Sequence, residues 1–376
     1  MKKIFIAVVL IAYAFPAAAT LILGQSPPAA NETPVAAPEF ISEDGAVNWN
    51  FLSDFAAFIN KCFAFRLELI HLNSALSAAF FDVSQADDVI LGAEGWLYYE
   101  ETIDDFLRKN VLSDEKIARI SQTLARIEWN CAREGIQFLF VIAPNKNSIY
   151  PEYMPDLGPK HGAENNREKL LKRLQTDGVS HVDLFAVFNA YREEAKARQS
   201  EIAQNSTASS WAPDLIYYRL DTHWNKLGAD LANAAILRAL GREEEPFARR
   251  GVLYNIPREG NSDLYQMLYP KGREKELDVE FARAFTFMYD EPISDPGSMT
   301  IQTACENKPG SALVFRDSFG NALYPFLAES FGKAVFSRRT PYALELAEEY
   351  QADTLLIVMA ERNIAQFEKF VNLEQP

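Results

Sequence analysis

Two short stretches hold the side chains best suited to making and breaking bonds. Asp221-Thr222-His223-Trp224-Asn225 offers a carboxylate two residues before an imidazole, and Arg316-Asp317-Ser318-Phe319-Gly320 offers a hydroxyl. Histidine suits a serine nucleophile because it changes charge near neutral pH and its two nitrogens can bond the serine and a carboxylate at once. Asp221 is close enough to hold the ring of His223 from the same loop. The chain has only four His, and His71, His161 and His181 are scattered singly, so His223 is the candidate base. Each motif has a plainer reading by itself: a Ser in D-S-F-G often caps a helix, and D-x-H is often a solvated turn. The pair, taken together, supplies nucleophile, base and orienting acid. A metal site is the third reading. No H-x-H, H-E-x-x-H or C-x-x-C accompanies His223 to give it co-ligands, so no metal and no cofactor is expected.

Residues 311–315 (SALVF) read as a buried strand and residues 320–327 (GNALYPFL) as a helix. Ser318 then falls on a strand-to-helix turn, where a side chain projects from the end of a sheet and the first helical amides carry partial positive charge for an oxyanion. Upstream, Ser113 caps a helix whose Ile117, Ile120, Leu124, Ile127 and Cys131 recur at three and four residues until Gly135 ends it. Residues 137–143 (QFLFVIA) read as a buried strand, 164–176 as an amphipathic helix, 181–185 as a strand, 186–204 as a charged, exposed helix and 226–240 as a helix packed on the sheet. A strand at 333–336, a helix at 341–350 and a strand at 354–359 follow. Strands separated by helices favour an α/β fold with a largely parallel sheet covered on both faces, and in such sheets ligands bind beyond the carboxyl ends of the strands.

Both Ser318 and Asn145 fall at those ends. Asn145 is placed to donate to an oxyanion and Lys146 to hold a carbonyl or an acidic sugar, against the plainer readings of a turn residue and a solvated lysine. Trp224 can stack on a sugar ring or wall its loop. Arg362, just after the last strand, can bind a substrate acid; ion pairing with Glu361 is the plainer role. Trp96, Tyr98 and Tyr99 read as core. Two stretches fit the alternation poorly: residues 51–81, apolar at helical spacing and expected to wrap the core, and residues 243–309, with little periodicity, expected to form a cap or a long surface connection. Cys131 lies on a helical stripe, which leaves Cys62 with Cys305 as the expected pairing in an oxidising compartment.

Lys2 and Lys3 precede an apolar run over residues 4–23 that is broken by Pro16 and followed by small residues, so residues 1–24 read as a signal peptide or a signal anchor. Both readings place the folded part outside the cytoplasm, in the periplasm or anchored to the cytoplasmic membrane. Residues 25–45 are a Pro/Ala-rich linker, and residues 46–376 are expected to be one catalytic domain. A hydrophobic content of 48% is ample for a core. The net charge of −15 argues against nucleic acid or an anionic membrane surface as partner.

The order of segments resembles the SGNH-hydrolase-like domain of the alginate O-acetylation proteins AlgJ and AlgX. The matching stretches are residues 92–99 (GAEGWLYY), 143–146 (APNK) with 149–152 (IYPE), 221–225 (DTHWN), 260–264 (GNSDL), 316–320 (RDSFG) and 361–363 (ERN). The resemblance implies a three-layer α/β/α sandwich with a mostly parallel sheet, and a Ser318, His223, Asp221 triad in an order permuted relative to ordinary SGNH hydrolases, where the serine comes first. It implies that Tyr324 lines the site, and Arg316 stands where the family has glycine. It further implies O-acetyl transfer to a polysaccharide acceptor, with a membrane-bound O-acyltransferase as the acetyl donor system, and closer likeness to the short AlgJ type. An extracellular carbohydrate esterase, or a non-catalytic polysaccharide-binding scaffold of an export complex, are the alternatives.

Overall fold

The computed structural model describes all residues except 1–4, 7–14, 17, 21, 30, 31, 43, 205–214, 243–245, 247–252, 259–261, 274, 275, 294 and 372–376, and the side chains of 198–204, 253–255 and 257. The chain divides into two compact units, Met1–Leu91 with Glu259–Glu274, and Gly92–Arg258 with Lys275–Pro376. Most of the basic and apolar leader read at residues 1–24 lies outside the described residues, as does the start of the GNSDL stretch. Among the described residues no helix is long and apolar enough to cross a membrane.

In the first unit, helices Phe51–Cys62 and Arg66–Phe81 are separated by Phe65, whose φ of 64° breaks the helical run, and the helix Asp263–Leu268 packs against the second of them. The expected wrap of residues 51–81 is therefore a pair of helices in a unit of their own.

The second unit is built on strands β1 (Gln137–Ala143), β2 (His181–Asp183), β3 (Leu253–Arg258), β4 (Glu276–Phe281), β5 (Met288–Tyr289), β6 (Thr300–Ala304), β7 (Ser311–Arg316), β8 (Lys333–Ser337) and β9 (Thr354–Ala360). Seven of them form one sheet in the order β2-β1-β9-β7-β8-β6-β5. The first five strands in that order are parallel, and β6 and β5 extend the edge antiparallel. β1 and β9 read as continuous apolar runs because both faces are covered. Phe138, Phe140 and Ile142 join the core under one helical layer, while Leu139, Val141 and Ala143 are buried toward the other. Helices α1 (Asp114–Arg133) and α2 (Asn166–Asp177) pack together on the first face; α3 (Leu184–Gln204), α4 (Lys226–Ala239) and α5 (Gly320–Ala328) form the opposite layer. This is a three-layer α/β/α sandwich.

Local signals set the ends of these helices. Ser113 Oγ accepts from Lys116 N at 3.3 Å, and Asn165 with Glu168 forms a full capping box on α2. Three expectations change. One face of the first half of α3 is buried, through Leu184, Phe188 and Arg192, because that face covers the sheet. Only Leu346–Glu349 is helical in the stretch 341–350, since Tyr342 is tied to the Phe370 carbonyl at 2.7 Å and stacked on Phe315 before a helix can begin. The Cys62–Cys305 pairing is not formed: all three cysteines are free and buried, and Cys305 Sγ sits 3.9 Å from the Glu329 carbonyl.

Candidate active site

In β9 the register pairs Val358 with Arg316 and Ala360 with Ala143, so β1, β7 and β9 end on the same edge of the sheet. Asn145, Ser318 and Arg362 all leave from that carboxyl edge. The candidate base, His223, comes from a loop that the sequence folds back on itself. Tyr217 bridges Trp224, Tyr218 N donates to the His223 carbonyl at 3.2 Å, and Asn225 N donates to Ile216 O at 3.0 Å. Asn225 also caps α4 by accepting from Gly228 N at 3.0 Å. Gly228 is required there because a Cβ would stand 2.4 Å from Ile216 O.

His223 Nε2 lies 2.8 Å from Ser318 Oγ, and its Nδ1 lies 2.7 Å from Asp221 Oδ1. The same carboxylate oxygen accepts the His223 main-chain N–H at 2.9 Å. Arg258 Nη2 donates to the other oxygen, Oδ2, at 2.9 Å. Burial opposes the charge of Asp221, but the hydrogen bond and charge of His223, with Arg258, outweigh it and hold the carboxyl below the ordinary carboxylate range. Asp221 is therefore an anion at neutral pH, fit to orient the ring and to stabilise it once protonated. Ser318 and His223 remain partly exposed, as groups that meet a substrate must.

The nucleophile turn is held by its neighbours. Asp317 Oδ1 accepts from Phe319 N at 3.0 Å, while Oδ2 accepts from Ala360 N at 2.6 Å and from Asn363 Nδ2 at 2.9 Å, so one carboxylate ties the turn to the end of β9. The Asp317 carbonyl accepts Gly320 N at 3.2 Å. The amides of Phe319 and Gly320 are thus engaged locally rather than offered to an oxyanion. Arg316 is buried, and its guanidinium bonds Asn321, the Pro296 carbonyl at 2.9 Å and the Ser298 carbonyl at 3.2 Å. Its methylenes fill the space beside Gly320, where a Cβ would stand 2.5 Å away. Burial and the charge of Arg338 bring its guanidinium down to about 10, still cationic at neutral pH. Arg316→Ala leaves two carbonyls and Asn321 unsatisfied beneath the turn, so it is expected to lower unfolding free energy by about 2–3 kcal/mol in urea titration. An unchanged midpoint would mean the guanidinium is dispensable.

The other candidates fall in different places. Lys146 is buried with Nζ on the carbonyls of Tyr218 (3.2 Å), Arg219 (3.0 Å) and Asp221 (2.6 Å), so it clamps the base loop rather than reaching for a sugar. Asn145 is also buried; Nδ2 lies 3.4 Å from Asp105 Oδ2, and Oδ1 accepts from Arg362 N at 3.3 Å. Trp224 is fully buried, its indole set edgewise on Phe188 and Phe319, which leaves no face for a sugar. Through Phe319, whose ring centre is 5.0 Å from that of His223, it supports the base instead. Arg362 lies over the rings of Tyr99 and Phe319 at 5.6 and 5.4 Å. It does not take the expected partner: Glu361 is fully buried and pairs with Arg167 Nε at 3.1 Å. Tyr324 is buried, with its hydroxyl 2.7 Å from that of Tyr289 and its ring against Phe336 and Arg316.

Two groups were not found from the sequence. One is Asp105, buried beneath Asn145, whose carboxyl is pushed up to about 8 by burial and by the charge of Glu361. The other is the hairpin of β3 and β4, within the stretch 243–309 read as aperiodic. Glu276, Asp278 and Glu280 alternate along β4 and hold the base loop: Glu276 accepts from Arg219 N and Leu220 N, Asp278 accepts from the Tyr218 hydroxyl at 2.6 Å, and Glu280 pairs with Lys226. The period-two acid pattern ELDVE was the available signal.

Residues 89–268 match the family described as SGNH hydrolase-like domain, acetyltransferase AlgX. The matched stretch contains Asp221 and His223 and ends before Ser318. A probable alginate O-acetylase AlgJ of Pseudomonas syringae pv. tomato is 24% identical over 162 residues, which is 42% of this chain and 36% of that protein. A protein of the same description from Pseudomonas putida is 25% identical over 155 residues, 41% of this chain and 34% of its own length. The aligned stretch thus spans about a third of the curated relatives it matches. Among solved structures, Bacillus cereus PatB1 superposes with a TM-score of 0.52 at 17% identity, covering 73% of this chain and 96% of that one. The fold is SGNH-hydrolase-like, and the resemblance read from the motifs holds.

Proposed function

We propose that this chain, whose residues 89–268 match the SGNH hydrolase-like domain of acetyltransferase AlgX, transfers O-acetyl groups to hydroxyls of an extracellular or cell-wall polysaccharide through an acyl-enzyme on Ser318. The observation that carries this reading is the continuous chain Asp221–His223–Ser318, at 2.7 and 2.8 Å, on the carboxyl edge of the sheet. Ser318 Oγ attacks the acetyl carbonyl carbon while His223 Nε2 takes its proton. The tetrahedral oxyanion collapses, the donor's oxygen leaves with the proton from His223, and an acetyl ester remains on Ser318. A sugar hydroxyl then gives its proton to His223 and attacks the ester, which releases the acetylated sugar and restores Ser318. Asp221 keeps the ring oriented and balances its charge in both halves. The Ser318 main-chain N–H is the oxyanion donor in this reading, while Asn145, buried with its amide on Asp105 and its main-chain N–H on Glu361, supports the sheet edge behind it. Acetyl donation by a membrane-bound O-acyltransferase and an extracytoplasmic location belong to the same proposal, supported by the family resemblance and the sequence of residues 1–24.

Transfer and hydrolysis share this chemistry and differ in what reaches the acyl-enzyme. With an acetyl donor and a panel of oligosaccharide acceptors, acetylated sugar is expected by mass spectrometry at the expense of free acetate. Acetate release from pre-acetylated polymer, with no sugar product from any acceptor, would identify an esterase. Glycan binding unaltered by Ser318→Ala, with neither reaction, would identify a scaffold.

A further inference from the structure

We infer that Arg258 is a positioning residue for the catalytic base: by holding Oδ2 of Asp221 it keeps Oδ1 of the same carboxylate on the His223 ring. The inference rests on the acyl-enzyme reading of Ser318.

Asp221 Oδ1 serves two donors of His223, the main-chain N–H at 2.9 Å and Nδ1 at 2.7 Å. Rotation of a carboxylate about its terminal bond is soft, so nothing in Asp221 itself preserves that double contact. A donor on the opposite oxygen does, because any rotation that breaks the ring contact also breaks the 2.9 Å bond to Arg258. Arg258 is itself fixed. Its guanidinium lies 3.8 Å from the centre of the Tyr218 ring, and Nη1 is 4.0 Å from Glu276 Oε2. Tyr218 and Glu276 belong to the base loop and to β4, and Glu276 also accepts the main-chain N–H groups of Arg219 and Leu220. The strand that binds the loop thus also carries the partner of the residue that orients Asp221. β3 and β4 pair so that Arg258 stands opposite Glu276, which sets the guanidinium at this position by register.

The residue type matters. A guanidinium remains charged throughout the working pH range and presents planar, fixed donors, whereas a lysine supplies a point charge without that fork. During the reaction the proton moves from Ser318 Oγ to His223 Nε2 and onward to the leaving oxygen. Asp221 keeps its charge throughout, and Arg258 keeps that charge in place.

The test uses the full chain with Arg258→Ala, Arg258→Lys and, as a control, Ser318→Ala. The rate of labelling by a serine-directed fluorophosphonate and kcat on a chromogenic acetyl ester are both expected to fall roughly 30- to 100-fold in Arg258→Ala, the scale of a misplaced catalytic group. KM should stay near the wild-type value, Arg258→Lys should be intermediate, and guanidinium ion at sub-denaturing concentration should restore part of the alanine variant's rate. The low-field proton resonance of His223 Nδ1–H, identified by its loss in His223→Gln, should be present in wild type and lost or broadened in Arg258→Ala. A raised KM with unchanged kcat would make Arg258 a substrate contact and overturn the inference. So would wild-type rates with the proton resonance intact. If wild type and Ser318→Ala react alike with the probe, the acyl-enzyme reading falls instead, and the proton resonance, which needs no turnover, still decides whether Arg258 orders the pair.

Discussion

Ser318→Ala and His223→Ala are each expected to lose turnover of a chromogenic acetyl ester by roughly three orders of magnitude or more, with the double variant little worse than either. Non-additivity is the signature here, because Oγ and Nε2 are 2.8 Å apart and share one proton in one step. Removing the hydroxyl leaves nothing to acylate. Removing the imidazole leaves a hydroxyl that must lose its proton to water while it attacks. Ser318→Ala removes only a partly exposed hydroxyl and should keep the wild-type unfolding midpoint, whereas His223→Ala takes the main partner from the buried Asp221 carboxylate and should lower it. Separate, additive losses would mean that the two groups do not act together, and wild-type rates in either would remove the triad altogether.

Asp221→Asn is expected to reduce the same rate by roughly three orders of magnitude for a different reason. An amide at this position can present its own N–H to His223 Nδ1 and so favour the tautomer with the proton on Nε2. A protonated Nε2 cannot accept from Ser318. The substitution should also change the pH dependence of stability. The Asp221 carboxyl is held below the ordinary range in the folded chain, so its contribution is present above the ordinary carboxylate pKa and disappears as pH falls through the lowered value. Wild type should therefore exceed Asp221→Asn in denaturant midpoint at neutral pH, with the gap closing in acid. An Asn variant that keeps wild-type turnover would show that the imidazole needs no anion to orient it.

Where the physics is local, the fold could be read from the chain. The stripe from Ile117 to Cys131, the Ser113 cap and the stop at Gly135 each act within a few residues, and helix α1 runs from Asp114 to Arg133. β1 and β9 were recognisable because strands covered on both faces have no polar side to show. The hairpin of β3 and β4 was not, since its alternating acids find their partners on a loop nearly sixty residues earlier in the chain. The roles of Lys146 and Trp224 stayed open in the sequence for a related reason. A lysine after a strand and a tryptophan beside a histidine look available for ligands, and only packing reveals that both are buried supports.

The sequence by itself marked which groups could carry the chemistry, because residue type governs what can be nucleophile, base and anion, and the two motifs contain all three. It also determined the alternation of strand and helix, which brings Ser318 to a turn at the carboxyl edge of a parallel sheet. Only the tertiary structure decided how those groups are held. Arg258 on Asp221, Lys146 on the base-loop carbonyls, Asp317 on the end of β9 and buried Arg316 beneath the turn are all contacts between segments distant in sequence. Such contacts depend on strand order and register, and no local pattern of side chains encodes them.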